Sequence, residues 1–262
     1  MKKYAACLLS LSLWLGAPLA SANTFTTDLT DLWWTSSESG WGVNATHQRE
    51  IVFLTFFVYG ADNRATFYTG EATFTGQAAN GALNFSGPMI QSTGSWLGTT
   101  FNPNSVTRTL VGNVSFSAFI DAATLVYSIN GVTVTKALTR NTFRNNDLTG
   151  RYIGVFSETF SNCADAASNG LVESVASITM VNTALSLSMT TSQNGFVCNF
   201  AGDYRQTGRM GASSGSYTCP GVAGTYDMVE IEANPTGITA RYTAQDNVCA
   251  RAINRFAVVK RQ

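Results

Sequence analysis

Val114-Ser115-Phe116-Ser117-Ala118 and, a few residues on, Thr124-Leu125-Val126-Tyr127-Ser128-Ile129-Asn130-Gly131-Val132-Thr133-Val134-Thr135 alternate apolar side chains with small polar ones. A period of two marks a strand with one buried face, because successive side chains point to opposite sides. Asn130-Gly131 sits between the last two runs and is the strongest short hairpin signal, since both turn positions want positive φ. This stretch predicts antiparallel β structure.

The same punctuation extends in both directions. Upstream, residues 51–59 are apolar on both faces and are expected to form a central strand or one covered on both sides. Tyr59-Gly60-Ala61-Asp62-Asn63 then turns the chain back into residues 65–74. Seven or eight strands are expected between Gly40 and Asn141. Residues 88–103, which carry Trp96, form the least regular connection. Downstream, Ala176, Ile178 and Met180 share one face, and Leu185, Leu187 and Met189 alternate with Ser186, Ser188 and Thr190. Short strands follow over 196–200, 204–209, 216–219, 227–232, 238–242 and 249–259. Evenly spaced strands with glycine turns predict an up-and-down barrel or a sandwich. No stretch after the leader shows sustained helical periodicity.

The ends and composition bound the compartment. Lys2 and Lys3, an apolar core over 4–15 and Ala20-Ser21-Ala22 read as a secretory signal peptide cleaved before Asn23. Cys7 lies near the start of the apolar core, whereas a lipoprotein cysteine follows it. No later run is long and apolar enough to span a bilayer as a helix. Removing two lysines leaves fourteen bases against sixteen acids, a net charge of about −2. That excludes the clustered basic surface on which nucleic-acid binding rests, and a polybasic membrane tether. Charged residues are 12% of the chain, about half the usual share, and hydroxyls and amides take their place.

Cys163, Cys198, Cys219 and Cys249 remain, all in the second half. An even number in an oxidising compartment predicts two disulfides, and no close cysteine pair offers a zinc site. Cys198 and Cys219 belong to one local meander. Cys163 follows the first strand of its unit and Cys249 opens the last, and in a closed barrel those strands are neighbours. The expected pairs are therefore Cys198–Cys219 and Cys163–Cys249. The polar junction over 140–147 and this one-sided cysteine distribution predict two units. The chain reads as a signal peptide (1–22), a Trp-rich β-domain (23–144) and a disulfide-bonded barrel-like β-domain (145–262). The fold class is all-β: two consecutive antiparallel β-domains, each a barrel or a sandwich, the second disulfide-bonded.

Trp33-Trp34, Glu38-Ser39-Gly40-Trp41-Gly42-Val43-Asn44, Phe53, Phe57-Val58-Tyr59 and the hairpin running to Thr139-Arg140 resemble a group of secreted bacterial β-proteins of unestablished function with a W-W…ESGWG-x-N signature. The resemblance covers about the first half of the mature chain and implies export and a β fold. The second half, from Gly150-Arg151-Tyr152 to Arg255-Phe256, is similar to lipocalin-like barrels, with Tyr152 where those usually have Trp.

The residues offer little catalytic chemistry. Gly211-Ala212-Ser213-Ser214-Gly215 matches G-x-S-x-G, but a nucleophile elbow needs a following helix and a later histidine. The only histidine, His47, precedes it by a whole domain, so a Gly/Ser hairpin loop is expected. A lone histidine makes no His-based metal site. A glycosidase needs two facing carboxylates, for which Glu38 and Glu71 lie nearest the aromatic cluster. Trp33, Trp34, Trp41 and Trp96, with Glu38, are the candidate ligand-binding residues, because exposed rings stack on sugars or partner surfaces. The expected function is a secreted or periplasmic, non-catalytic binding or surface-interaction protein for a carbohydrate or extracellular protein, with no cofactor. Alternatives are a lipocalin-like carrier of a small apolar ligand and a hydrolase using Glu38 with Glu71 or His47.

Overall fold

The computed structural model describes residues 27–163 and 170–261. The expected leader over 1–22 lies outside them. The first barrel is built from β1 (Asp31–Trp34), β2 (Gly42–Gln48), β3 (Ile51–Tyr59), β4 (Ala65–Gln77), β5 (Leu83–Thr93), β6 (Thr107–Ala118), β7 (Ala122–Ile129) and β8 (Val132–Arg140). Each strand pairs antiparallel with the next, and β1 also pairs with β8, so the sheet closes. The β7–β8 turn is Asn130-Gly131 with φ of 49° and 86°, as the dipeptide requires.

The second barrel comprises β9 (Gly150–Glu158), a two-residue β10 (Phe160–Ser161), β11 (Gly170–Val181), β12 (Ala184–Thr191), β13 (Val197–Thr207), β14 (Met210–Cys219), β15 (Val222–Asn234), β16 (Gly237–Asp246) and β17 (Ala250–Lys260). It closes through pairing of β9 with both β11 and β17. Both units are thus closed eight-stranded barrels, not sandwiches. Disulfides join Cys163 to Cys249 and Cys198 to Cys219. Two disulfides indicate folding in an oxidising, extracytoplasmic compartment.

Eight strands enclose a space that side chains just fill. In the first barrel Trp33, Phe56, Phe85, Phe116 and Leu125 are wholly buried, with Trp33 edge-on to Phe116 at 5.5 Å. In the second, Phe200 stacks on Tyr217 at 5.4 Å above Ile178, Leu187 and Phe256. Both interiors are apolar, whereas the lumen of a membrane-spanning barrel is polar. No helix among the described residues is long and apolar enough to cross a membrane.

Four sequence expectations change. Residues 88–93, expected in the irregular connection, belong to β5. β3 is not covered on both sides. Val52, Leu54 and Phe56 point into the barrel, while Ile51, Phe53, Phe57 and Tyr59 are exposed on its outer wall, because a closed barrel has a single interior. Residues 211–215 are not a hairpin loop but lie within β14. The turn instead falls at Gly208, with φ +62°. Gly211 and Gly215 are needed where other groups come close: the Tyr204 ring lies over Gly211, and the Ala201 carbonyl lies over Gly215. Residues 196–200 and 204–209 are likewise joined in one long strand, β13.

The barrels meet end to end through polar groups. Arg209, in the β13–β14 turn, donates from Nε to the Thr30 carbonyl (2.7 Å) and from its amide to Asp31 (3.0 Å). The Gly208 amide donates to Thr142 Oγ1, and Gln206 accepts from the Asn146 amide. Strand direction then fixes the free ends. The β1–β2, β3–β4, β5–β6 and β7–β8 connections lie at the far end of the first barrel. Both disulfides lie at the far end of the second.

Candidate functional site

The far end of the first barrel gathers most of the candidate residues. β1 places Trp33 inward and Trp34 outward, as adjacent strand residues must be. Trp33 is wholly buried and donates Nε1–H to the Leu29 carbonyl at 3.0 Å, so it offers no face to a ligand. Trp34 is half-buried. After β1 the chain turns tightly, the Glu38 amide donating to the Thr35 carbonyl at 2.9 Å. Gly40 adopts φ +106° and lies against Tyr59. Trp41 follows, half-buried on the core, and its Nε1–H donates to Glu38 Oε2 at 3.0 Å.

Lys136 on β8 completes the cluster. Its Nζ donates to both Glu38 oxygens, at 2.9 and 2.7 Å, and lies 5.5 Å from the Trp41 ring centroid. The Lys136 hydrogen bonds, with that from Trp41, hold the Glu38 carboxyl below its ordinary range despite some desolvation. Burial pushes the nearby Tyr127 phenol up. An acid–base catalyst needs a pKa near the working pH, and Glu38 is shifted the other way.

The hydrolase pairs are not brought together. His47 lies toward the opposite end of β2 from Glu38, where its Nδ1 accepts from the Leu29 amide and its Nε2–H donates to the Arg49 carbonyl at 2.7 Å. Gly42 and His47 are five residue steps apart along β2, about 17 Å at the usual rise. Glu71 faces outward on β4 opposite Phe53, level with Thr46 rather than with Gly42. Ser213 of the G-x-S-x-G match is buried, with its Oγ 3.0 Å from Tyr226 OH. No group of three metal-ligating side chains occurs among the described residues.

The residues missed by sequence reasoning are the outward aromatics of β3 and β4. Phe57 pairs directly across from Phe67, and Phe53, Tyr59 and these two are exposed by 41–60%. Thr55 and Thr69 pair between them. The signal was in the sequence: a run apolar on both faces within a closed sheet must expose one of them.

A second feature lies at the far end of the second barrel. A cavity of about 280 Å³ opens there, lined by Phe156, Met189, Phe196, Phe200, Tyr217 and Tyr242 among others. Cys198 and Cys219 form part of its wall. Ser174, one inward position deeper than the wall residue Val172, is fully buried, and its Oγ has no hydrogen-bond partner among the described residues.

No family model and no curated protein matches the chain. Among solved structures it is similar to the isotype 1 transferrin binding protein B of serogroup B Neisseria meningitidis, at 10% identity and a TM-score of 0.32. That match covers 85% of this chain, which spans 66% of the length of that structure. It is also similar to a protein of unknown function from the DUF3598 family of Nostoc punctiforme, at 10% identity and a TM-score of 0.25, covering 89% of this chain and 96% of that one. Both are distant likenesses, and neither assigns the chain to a family.

Proposed function

We propose that this is an exported, non-catalytic binding protein, secreted or periplasmic, and that the outer wall of its first barrel binds a carbohydrate. The observation that carries the reading is the exposed set Phe53, Phe57, Tyr59 and Phe67, spaced by Thr55 and Thr69, with Glu71 across from Phe53. Aromatic faces stack on the C–H faces of sugar rings, and hydroxyls between them hydrogen-bond to sugar hydroxyls. The Glu38–Lys136 pair and Trp41 anchor the loop that abuts Tyr59 and hold this edge of the platform rigid, which limits the ordering cost of binding. Titration calorimetry against a panel of neutral and acidic oligosaccharides tests it. Phe57→Ala and Tyr59→Ala are each expected to weaken binding by tenfold or more. Absence of heat with every glycan refutes the carbohydrate reading and leaves an extracellular protein as the partner to seek.

One observation favours a second reading, carriage of a small apolar ligand in the second barrel. The cavity there is walled by aromatic rings, and Ser174 presents a buried hydroxyl below it that a ligand's polar end would satisfy. Displacement of an environment-sensitive apolar dye, blocked in Phe200→Trp, separates this reading from the first.

A further inference from the structure

The connection between β5 and β6 carries the most exposed large apolar side chains at the first barrel's free end. Leu97 is 99% exposed, Trp96 75% and Phe101 67%. Such a cluster is uncommon on a soluble surface and marks an interaction site.

Three properties of this connection identify the partner. First, it has no charge. No Asp, Glu, Lys, Arg or His occurs between Glu71 and Arg108. Second, the polar groups of Ser95, Thr99, Asn102 and Ser105 are bonded within the loop. Ser95 and Ser105 share a hydrogen bond at 2.7 Å, and the Asn102 amide donates to Ser95 Oγ at 3.1 Å. The Thr99 amide and hydroxyl both donate to the Trp96 carbonyl, the Asn104 amide donates to Asn102 Oδ1, and the Val106 amide donates to the Pro103 carbonyl. The Trp96 ring lies across Gly98, where a side chain would collide with it. The loop therefore holds its apolar side chains outward instead of folding them onto the barrel. Third, it joins two strands of a closed sheet, which has no free backbone edge for a peptide strand to pair with.

An apolar, uncharged loop suits a lipid interface, where charges are costly and Trp settles at the headgroup level. We propose that residues 96–101 insert into the surface of a lipid bilayer, with Arg108 at the base of the loop placed among the headgroups. The inserted side chains supply the attachment by burial of apolar area. The carbohydrate reading is independent of this, because the loop lies beyond the platform residues and across the barrel rim from Glu38 and Trp41.

The test is co-sedimentation of the purified exported chain with phosphatidylcholine vesicles, at low and high salt and with added phosphatidylglycerol. Binding to neutral vesicles that survives raised salt is expected. The triple variant W96S/L97S/F101S, shown to fold by an unchanged melting temperature, is expected to partition about a hundredfold less. Leu97→Cys carrying an environment-sensitive dye provides a reading that does not depend on the triple variant, and its emission is expected to shift to the blue on vesicles. The proposal is overturned by absence of binding, by equal binding of the triple variant, or by binding confined to anionic vesicles at low salt. Self-association abolished by the triple variant, without vesicle binding, assigns the loop to a second copy and also overturns it.

Discussion

Arg140 lies with Nη1 3.1 Å from Asp31 Oδ2, its side chain wholly buried where the two barrels meet. Its guanidinium also donates to the carbonyls of Ile120 (2.5 Å), Asp28 (2.7 Å) and Thr30 (3.3 Å) and lies over the Trp33 ring at 4.7 Å. Burial pulls its pKa down, and Asp31 opposes that shift. Truncation removes the donor to the Ile120 and Asp28 carbonyls and leaves Asp31 and Thr30 with Arg209 alone across the junction. Arg140→Ala is therefore expected to cost about 3–5 kcal/mol, read as a lowered denaturant midpoint of the first barrel. Arg140→Lys is expected to recover only part of this, because an ammonium cannot reproduce the planar fork.

Asp28 gives the junction a pH dependence. Burial alone raises its carboxyl, but hydrogen bonds from the Thr30 amide and hydroxyl and the Arg209 guanidinium outweigh it, so the net shift is downward. A depressed folded pKa means that the stabilisation is complete above the ordinary aspartate value, about 3.9. It is lost as pH falls through the lower folded value. The difference in denaturant midpoint between the native chain and Asp28→Asn is expected to be constant from pH 5 to 8 and to vanish in stronger acid. A difference that instead shrinks above pH 6 contradicts this assignment. The effect is small, since Asp28 is about half exposed and screened by solvent.

The same residues show how far the sequence could be read. Alternation at Val114, Phe116 and Leu125 was sufficient for strands and for their inward faces, because period two is a local property. Closure was not local. It depends on β1 reaching β8 and β17 reaching β9, pairings between residues about a hundred apart that leave no short-range mark. For that reason the alternation fits a barrel and a sandwich alike, and the doubly apolar run of β3 fits a covered strand as well as a central one. Trp33 and Trp34 divide as adjacent strand residues should, yet nothing local says which of them faces the interior. Both disulfide pairs were legible, because the meander and the neighbouring end strands follow from an up-and-down order. The Glu38–Lys136 pair spans 98 residues and was invisible until the barrel closed.

The second barrel should fold without the first. It has its own core, in which Leu148 closes the junction end by accepting from Tyr152 OH at 2.8 Å. It also holds both disulfides, with sequence separations of 86 and 21. In the chain-entropy account these contribute about 4–5 and about 3 kcal/mol as upper values, the outer one less once the inner bridge is closed. What the fragment 148–262 loses is polar contact with Thr27, Asp28, Thr30, Asp31, Thr142, Arg144 and Asn146, which water replaces at little cost around Gln206, Arg209 and Glu230. The fragment is therefore expected to be soluble and to unfold in one cooperative step when oxidised. Reduction is expected to lower its melting temperature by far more than it lowers that of a fragment covering 23–144, which has no cysteine. An oxidised fragment that stays soluble but shows neither near-ultraviolet circular dichroism nor a thermal transition would mean that the junction nucleates the second barrel and that the two barrels form a single folding unit.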